Sequence, residues 1–366
     1  MDSTVPPDLQ AFRDRIDGID EQIHRLLNER AECAKAVGAS KAAQGMQTVD
    51  FYRPEREAQV LRKALERNRG PLRNEEVARL FREIMSACLA QEEPLKVGFL
   101  GPEGTFSQQA VLKQFGHSVR ALPLAEINEV FAEVESGHAD FGVVPVENST
   151  EGTVNNTLDM FLSSPLKICG EVELRIHQNL MGRMTGLQSI KRVSSHQQSL
   201  AQCRQWLDEH LPGVERLPAS SNAEAARRAR DEEGTAAIAG QTAADVYGLN
   251  VLVSEIEDRP DNTTRFLVIG RKLFNPSGRD KTTLLVSARD TASPGALHRL
   301  LEPFARAEIS MTRIESRPSR KQKWDYVFFI DVEGHASEAP LKDALEDLKK
   351  QSSLFRLLGS YPCAVL

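Results

Sequence analysis

The chain has 366 residues, 40% hydrophobic and 27% charged, which is ordinary globular composition and enough length for two or three domains. Its net charge of −6 excludes a general affinity for nucleic acid, and no apolar run reaches the ~18 residues of a membrane span. Five scattered cysteines (Cys33, Cys88, Cys169, Cys203, Cys363) and a charged N-terminal stretch argue against a disulfide framework, a zinc site or a signal peptide, so the chain reads as cytoplasmic.

Apolar residues recur at Leu9, Phe12, Ile16, Ile19, Ile23, Leu26, Cys33 and Val37. That three-and-four spacing predicts a helix with one apolar stripe, roughly 50 Å long if it runs to Lys41. A helix of that length outruns the two shorter ones after it, so a partner chain is expected. Pro54 opens the second helix and Gly70-Pro71 ends it. Asn74 is expected to cap the third, which carries Val77, Leu80, Phe81, Ile84, Met85, Cys88 and Leu89 as its stripe. Several charges fall on these stripes: Arg30 between Leu26 and Cys33, Glu57 one turn before Leu61, and Glu92 after Cys88 and Leu89. A buried charge is costly unless paired, so each needs a partner or a ligand. Arg13, Arg30, Lys41 and Arg56 could hold a small dianion between helices; the plain alternative is a solvated face with internal ion pairs.

Here the motifs carry a resemblance. Phe12-Arg13-Asp14-Arg15-Ile16, Leu26-Leu27-Asn28-Glu29-Arg30, Val37-Gly38-Ala39-Ser40-Lys41 and Arg53-Pro54-Glu55-Arg56-Glu57 resemble the all-helical chorismate mutases, across nearly all of residues 8–92. The resemblance implies an intertwined dimer in which Arg13 of the other subunit, Arg30 and Arg56 grip the two substrate carboxylates. Lys41 would donate to the ether oxygen and Glu57 would bond the substrate hydroxyl, with Arg53 in the same cluster. Two positions depart from the pattern. Glu92 stands where many bacterial relatives have the glutamine that is the second ether-oxygen donor, and Cys88 where serine is common. A glutamate donates only when protonated, so a raised pKa at Glu92 would make mutase activity fall as pH rises through it.

Pro94 ends the helical part, and residues 95–100 read as a buried strand leading into Gly101-Pro102-Glu103-Gly104-Thr105-Phe106-Ser107 and a helix from about Gln108. Such a turn aims backbone N–H groups at an anion, although the phosphate-loop ending is absent. Residues 141–146 form the next strand and deliver Glu147-Asn148-Ser149-Thr150-Glu151-Gly152 at its C-terminal end, where ligands of open α/β sheets bind. A second α/β set follows, with a strand at 190–193, Ser194-Ser195-His196 in a turn, Asn222 as a helix cap, and strands at 236–239 and 252–256. Asp261-Asn262-Thr263-Thr264-Arg265-Phe266 then runs into another strand, which puts Thr264 and Arg265 at a strand mouth. Two α/β sets suggest two lobes around a cleft. Taken singly, the Thr-Thr pair could simply favour the strand, and His196 could be a structural histidine.

Gly-Pro-Glu-Gly-Thr-Phe-Ser, Val-Pro-Val-Glu-Asn-Ser, Ser195-His196 with Gln202, and Thr263-Thr264-Arg265-Phe266 look, in order, like the prephenate dehydratases over residues 96–272. The family implies a bilobal fold with its site between the lobes. Thr264 would assist the departing hydroxyl, and Arg265 would orient the strand mouth or a carboxylate. Glu147, Asn148, Ser149, Ser195 and Gln202 would position the substrate, while Thr105 and the amides around Gly104 would accept an anionic end. No role is carried over to His177-Gln178.

From Lys281 on, strand, helix, strand, strand, helix and strand succeed one another over ~80 residues, a split βαβ pattern. Pro294-Gly295-Ala296-Leu297 with Glu315-Ser316-Arg317-Pro318 resembles the ACT domain of phenylalanine-inhibited dehydratases. Amides near Gly295, Ala296 and Leu297 would take the carboxylate of L-phenylalanine at a dimer interface, and Glu315 or its neighbours Ser316 and Arg317 its ammonium group. A ferredoxin-like appendage that only dimerises is the simpler alternative.

The expected architecture is multidomain, α and α/β: an all-helical mutase domain (1–93), a bilobal α/β dehydratase domain (94–280) and a ferredoxin-like βαββαβ ACT domain (281–366). The resemblances imply a bifunctional isomerase and carbon–oxygen lyase of L-phenylalanine biosynthesis. It would act on chorismate and prephenate as a homodimer, need no cofactor or metal, and be inhibited by L-phenylalanine. A non-catalytic amino-acid sensor, or a dehydratase with a relic mutase segment, are the rivals.

Overall fold

The computed structural model describes residues 7–43, 52–91, 93–289, 293–319 and 326–365. Helix α1 (Pro7–Ala43) has 37 residues and so spans about 56 Å. Its apolar stripe finds little to cover it: Phe12 is 63% exposed, Leu26 56% and Ile16 55%. Helices α2 (Pro54–Arg67) and α3 (Asn74–Leu89) pack on each other, burying Leu61, Ala64, Ala78 and Cys88. Asn74 is the first residue of α3 rather than its cap; its Oδ1 accepts from Asn68 Nδ2 at 2.8 Å, an engagement that holds the α2–α3 turn.

The first lobe begins with β1 (Lys96–Leu100), α4 (Phe106–Phe115), β2 (Arg120–Leu124), α5 (Ile127–Ser136) and β3 (Phe141–Asn148). It continues through β4 (Gly152–Thr153), α6 (Asn155–Phe161) and β5 (Lys167–Arg175). The chain then crosses to the second lobe: β6 (Asn179–Gly182), β7 (Arg192–His196), α7 (Gln197–Gln202), α8 (Arg204–His210), β8 (Glu215–Ala219), α9 (Asn222–Asp231), β9 (Thr235–Ala239), α10 (Gln241–Tyr247) and β10 (Asn250–Val253). It returns as β11 (Thr263–Gly270). The lobe sheets run β2-β1-β3-β11-β5, with β4 on β3, and β10-β6-β9-β7-β8. Because β11 comes back across the gap to sit between β3 and β5, antiparallel to both, its first residues open on the space between lobes.

The last unit is β12 (Asp280–Ala288), α11 (Ala296–Arg306), β13 (Met311–Pro318), β14 (Tyr326–Glu333), α12 (Leu341–Gln351) and β15 (Ser352–Pro362). Its antiparallel order, β13-β14-β12-β15, is the expected βαββαβ arrangement, with Leu284, Val286, Leu300, Phe304, Ile330 and Leu348 in its core. Two glycines mark where the units press together. A Cβ at Gly359 of β15 would lie 2.1 Å from the Ile168 carbonyl oxygen of β5, and one at Gly116, with φ +73°, would lie 2.6 Å from Ser86 Cβ of α3. Strand β15 therefore lies against the first lobe on one side, and α3 against it on another. No helix of the described residues is long and apolar enough to cross a membrane.

Candidate active sites

A cavity of about 450 Å³ opens where the helical unit meets the first lobe. Arg30 and Lys41 reach it from α1, Arg53, Arg56 and Glu57 from the start of α2, and Cys88 from α3. Leu95, Phe115 and Val119 of the first lobe complete the wall. Arg13 is absent from this cavity: seventeen residues from Arg30 on the same helix, it lies about 26 Å away along the axis. One chain therefore supplies all but one of the expected cations. Glu92 lies outside the described residues.

Two lining residues carry no signal in the sequence pattern. Arg82 of α3 is buried and stands 3.8 Å from Glu57, and Tyr52 is buried with its hydroxyl accepting from Gln114 Nε2 at 3.1 Å. Burial pushes the Glu57 carboxyl up to about 7, against the opposing pull of Arg82 and of a hydrogen bond from Tyr52. Arg82 lies off the expected stripe, on the face where Ala78 and Ser86 are buried, while Leu80 and Phe81 of the stripe are exposed, so the apolar spacing does not mark it as a buried charge.

The second cavity, about 460 Å³, lies between the lobes. Of the predicted residues, Thr105, Asn148, Gln202 and Thr264 line it. Thr105 caps α4, its Oγ1 accepting from Gln108 N and donating to the Leu100 carbonyl. Asn148 Nδ2 donates to Thr264 Oγ1 at 2.8 Å and to Asn262 Oδ1 at 2.8 Å. Asn262 Nδ2 reaches Gln202 Oε1 at 3.3 Å, and Gln178 Nε2 donates to Gln202 Oε1 and Ser199 Oγ, each at 3.1 Å. Ser199 Oγ in turn donates to Asn222 Oδ1 at 3.0 Å. A continuous neutral relay thus runs from β3 and β11 in one lobe to α7 and α9 in the other. Since Thr264 Oγ1 accepts from Asn148, its own hydrogen remains available to the cleft.

Other predicted residues sit behind the wall. Ser195 is fully buried, its single hydroxyl hydrogen shared between Asn222 Oδ1 and the Ile238 carbonyl, so it braces Asn222 rather than a ligand. Asn222 is not the cap expected of it: Ser221 caps α9, which frees the Asn222 amide for this bridge. Gly104 N donates to Gln108 Oε1 at 2.6 Å, and Ser149 braces Thr263 N and the Asp261 carbonyl. Glu147 pairs with Arg313 of β13 at 3.1 Å. Arg265 departs furthest from its expected place. Successive strand residues face opposite ways, so with Thr264 on the cleft Arg265 points to the other face of the sheet. There it donates to Glu171 (2.9 Å), Asp331 (2.6 Å) and the Tyr361 hydroxyl (3.0 Å). Burial works against its charge, but Tyr361, Asp331 and Glu171 outweigh it and raise its pKa further. His196 lines the cleft and caps α7, its Nδ1 accepting from Gln198 N. Asn262, Gln178 and Ser199 join the site unannounced by the sequence, because neutral amides and hydroxyls carry no periodic signal.

His177, Glu255 and Glu257 stand close enough for a metal, but they do not line the cleft, and Glu257 is already engaged by His177 Nδ1 and Gln178 N. In the last unit, Gly295 caps α11 with φ +77°, which puts Ala296 and Leu297 in its first turn. Glu315 accepts from Thr153 Oγ1, and Arg317 donates to Asn155 and Asp159, so these β13 residues face the first lobe.

Family profiles match in the same order as the units: chorismate mutase type II over 12–93, prephenate dehydratase over 97–273 and the ACT domain over 282–350. The bifunctional chorismate mutase/prephenate dehydratases of Stutzerimonas stutzeri and Pseudomonas aeruginosa are each 57% identical, over 98% of this chain and 98% of theirs. The crystal structure of an Arthrobacter aurescens prephenate dehydratase in complex with L-Phe superposes with a TM-score of 0.67 at 39% identity, covering 73% of this chain and 90% of that one. With two such cavities, three such units in this order and relatives this close over nearly its whole length, the chain belongs to the family of bifunctional chorismate mutase/prephenate dehydratases.

Proposed function

We propose that the cation-lined cavity and the interlobe cleft are the two active sites of this enzyme of phenylalanine biosynthesis. In the first, chorismate rearranges to prephenate: one ether C–O bond breaks, one C–C bond forms, and neither protons nor electrons leave. The work is to hold a compact conformer of a dianion and to stabilise charge growing on the ether oxygen. Arg30, Arg53 and Arg56, with Arg13 of a second subunit, grip the carboxylates. Lys41 donates to the ether oxygen, and ionised Glu57 accepts from the ring hydroxyl; Cys88 packs beside the ring. A homodimer is supported by the bare stripe of α1 and by the distance from Arg13 to Arg30.

In the second site prephenate loses carbon dioxide from the ring while hydroxide departs and takes up a proton as water, leaving phenylpyruvate. The observation that carries this reading is the Asn148–Thr264 hydrogen bond, which leaves the Thr264 hydrogen free to donate into the cleft. Thr264 donates to the leaving oxygen; Gln202 and Asn262 hold the carboxylates, while Asn148 orients Thr264 and Thr105 fixes the start of α4 at the cleft wall. Glu147, Ser149, Ser195 and Gly104 keep these groups in place from behind. L-Phenylalanine acts on the ACT unit, with Gly295, Ala296 and Leu297 taking its carboxylate, Glu315 and Arg317 lying toward the first lobe and Ser316 on the opposite face of β13. The Arthrobacter relative, solved in complex with L-Phe, supports phenylalanine binding. The free cysteines suit a cytoplasmic enzyme.

The purified chain is expected to convert chorismate to phenylpyruvate through prephenate, with the second step slowed by L-phenylalanine. Turnover of neither substrate would refute the assignment.

A further inference from the structure

Glu57 and Arg82 both line the mutase cavity, with side chains only 15% and 10% exposed. A carboxylate in such a wall must be neutral or find a cation. The Arg82 guanidinium stands 3.8 Å from it, and Arg82 Nη2 donates to the Val365 carbonyl oxygen at 3.3 Å. Arg82 Nε is buried with no hydrogen-bond partner among the described residues, so nothing on α3 itself holds the head group in place. The tail that receives it is itself fixed: Ala364 N donates to Glu171 Oε1 at 3.3 Å, and Glu171 carries Lys281 and Arg265. The C-terminal end of the chain thus reaches back to the first active site.

We propose that Arg82 is a positioning residue for the mutase reaction: pinned by the C-terminal tail, it orients the Glu57 carboxylate and holds it as an anion in the cavity wall. The proposal rests on the reading of Glu57 as the acceptor of the substrate hydroxyl. Every charged or titratable neighbour of Glu57 belongs to the same balance. Arg30 and Lys41 face it from α1, Arg53 and Arg56 from the start of its own helix, and Tyr52 from the segment before it. Glu171, Cys169 and Cys363 share with it a small cavity on the tail side, and Lys113 lies near enough to Arg82 to feel its charge. The α1 and α2 cations line the cavity, whereas Arg82 also bonds the tail on its far side. Burial raises Glu57 to about 7 even with Arg82 present, so loss of Arg82 drives it higher.

The test uses the full chain and four variants, R82Q, R82K, E57Q and the R82Q/E57Q double, with kcat/KM for chorismate measured across pH. That quantity reports ionisations of the free enzyme. Prephenate turnover serves as the control for folding. In the wild type activity rises with pH through about 7 as Glu57 ionises. In R82Q this limb is expected about one pH unit higher, giving roughly a fivefold loss at pH 7 that approaches tenfold at lower pH and shrinks as pH rises. R82K is expected to lie between. In E57Q the limb disappears, and adding R82Q costs little more. If E57Q removes the limb while R82Q leaves it in place, or if R82Q costs as much with E57Q as without, Arg82 does not act through Glu57 and the proposal is overturned. If the limb survives E57Q, the reading of Glu57 falls and this inference with it. Should R82Q lose prephenate turnover as well, R82K decides the matter, and an unmoved limb there overturns the proposal.

Discussion

The two cavities have nearly equal volume yet are built from opposite materials. The helical one is ringed by guanidinium and ammonium groups and lacks one of its expected cations within a single chain. The interlobe one is lined by hydroxyls and amides joined in a relay that one chain completes. The difference follows from the chemistry. A rearrangement that moves no proton can be driven by fixed charge around a dianion, whereas expelling hydroxide calls for an oriented donor. Charge can be borrowed across a subunit boundary; an oriented hydroxyl needs its neighbours bonded around it.

That contrast can be broken at several points. The largest effect is expected for Thr264→Ala, which removes the donor: dehydratase kcat should fall by about 1000-fold with chorismate turnover intact, and retained prephenate turnover would dissolve the relay argument. Next, Arg30→Ala and Arg13→Ala should each cost mutase kcat/KM about 100-fold while leaving prephenate turnover alone. Mixing and reassociating those two inactive chains should restore about a quarter of wild-type mutase activity, because half the dimers then carry one intact site. No recovery would mean that Arg13 does not cross between chains. The smallest effect is expected for Asn148→Ala. It should lower dehydratase kcat about tenfold with KM nearly unchanged, since Thr264 keeps its hydroxyl but loses its orientation. A change in KM alone would make Asn148 a substrate contact and nothing more.

The same contrast decides what can be read from the sequence. Charges on an apolar stripe stand out, so Arg30 and Glu57 are legible there, and the length of α1 already demands a partner. In the lobes, Thr264 and Asn148 are reached through motifs. Asn262 and Gln178 are not, because their roles depend on two segments that cross the gap between lobes. Arg265 is misplaced by one face, because a motif read as a string ignores alternation along a strand. Asn222 looks like a cap because it precedes an alanine-rich helix, as caps do; Ser221 one residue earlier has the better claim. Arg82 escapes because the cation and the tail carbonyl it bonds are 283 positions apart.

One consequence follows from Thr264 and Arg265 being neighbours in β11. The hydroxyl that lines the interlobe cleft and the guanidinium clamped by Asp331 and Tyr361 of the last sheet share a single peptide linkage. An amino acid that tugged that sheet by a few tenths of an ångström would have no distance to signal across. It would already have its hand on the threonine of the cleft.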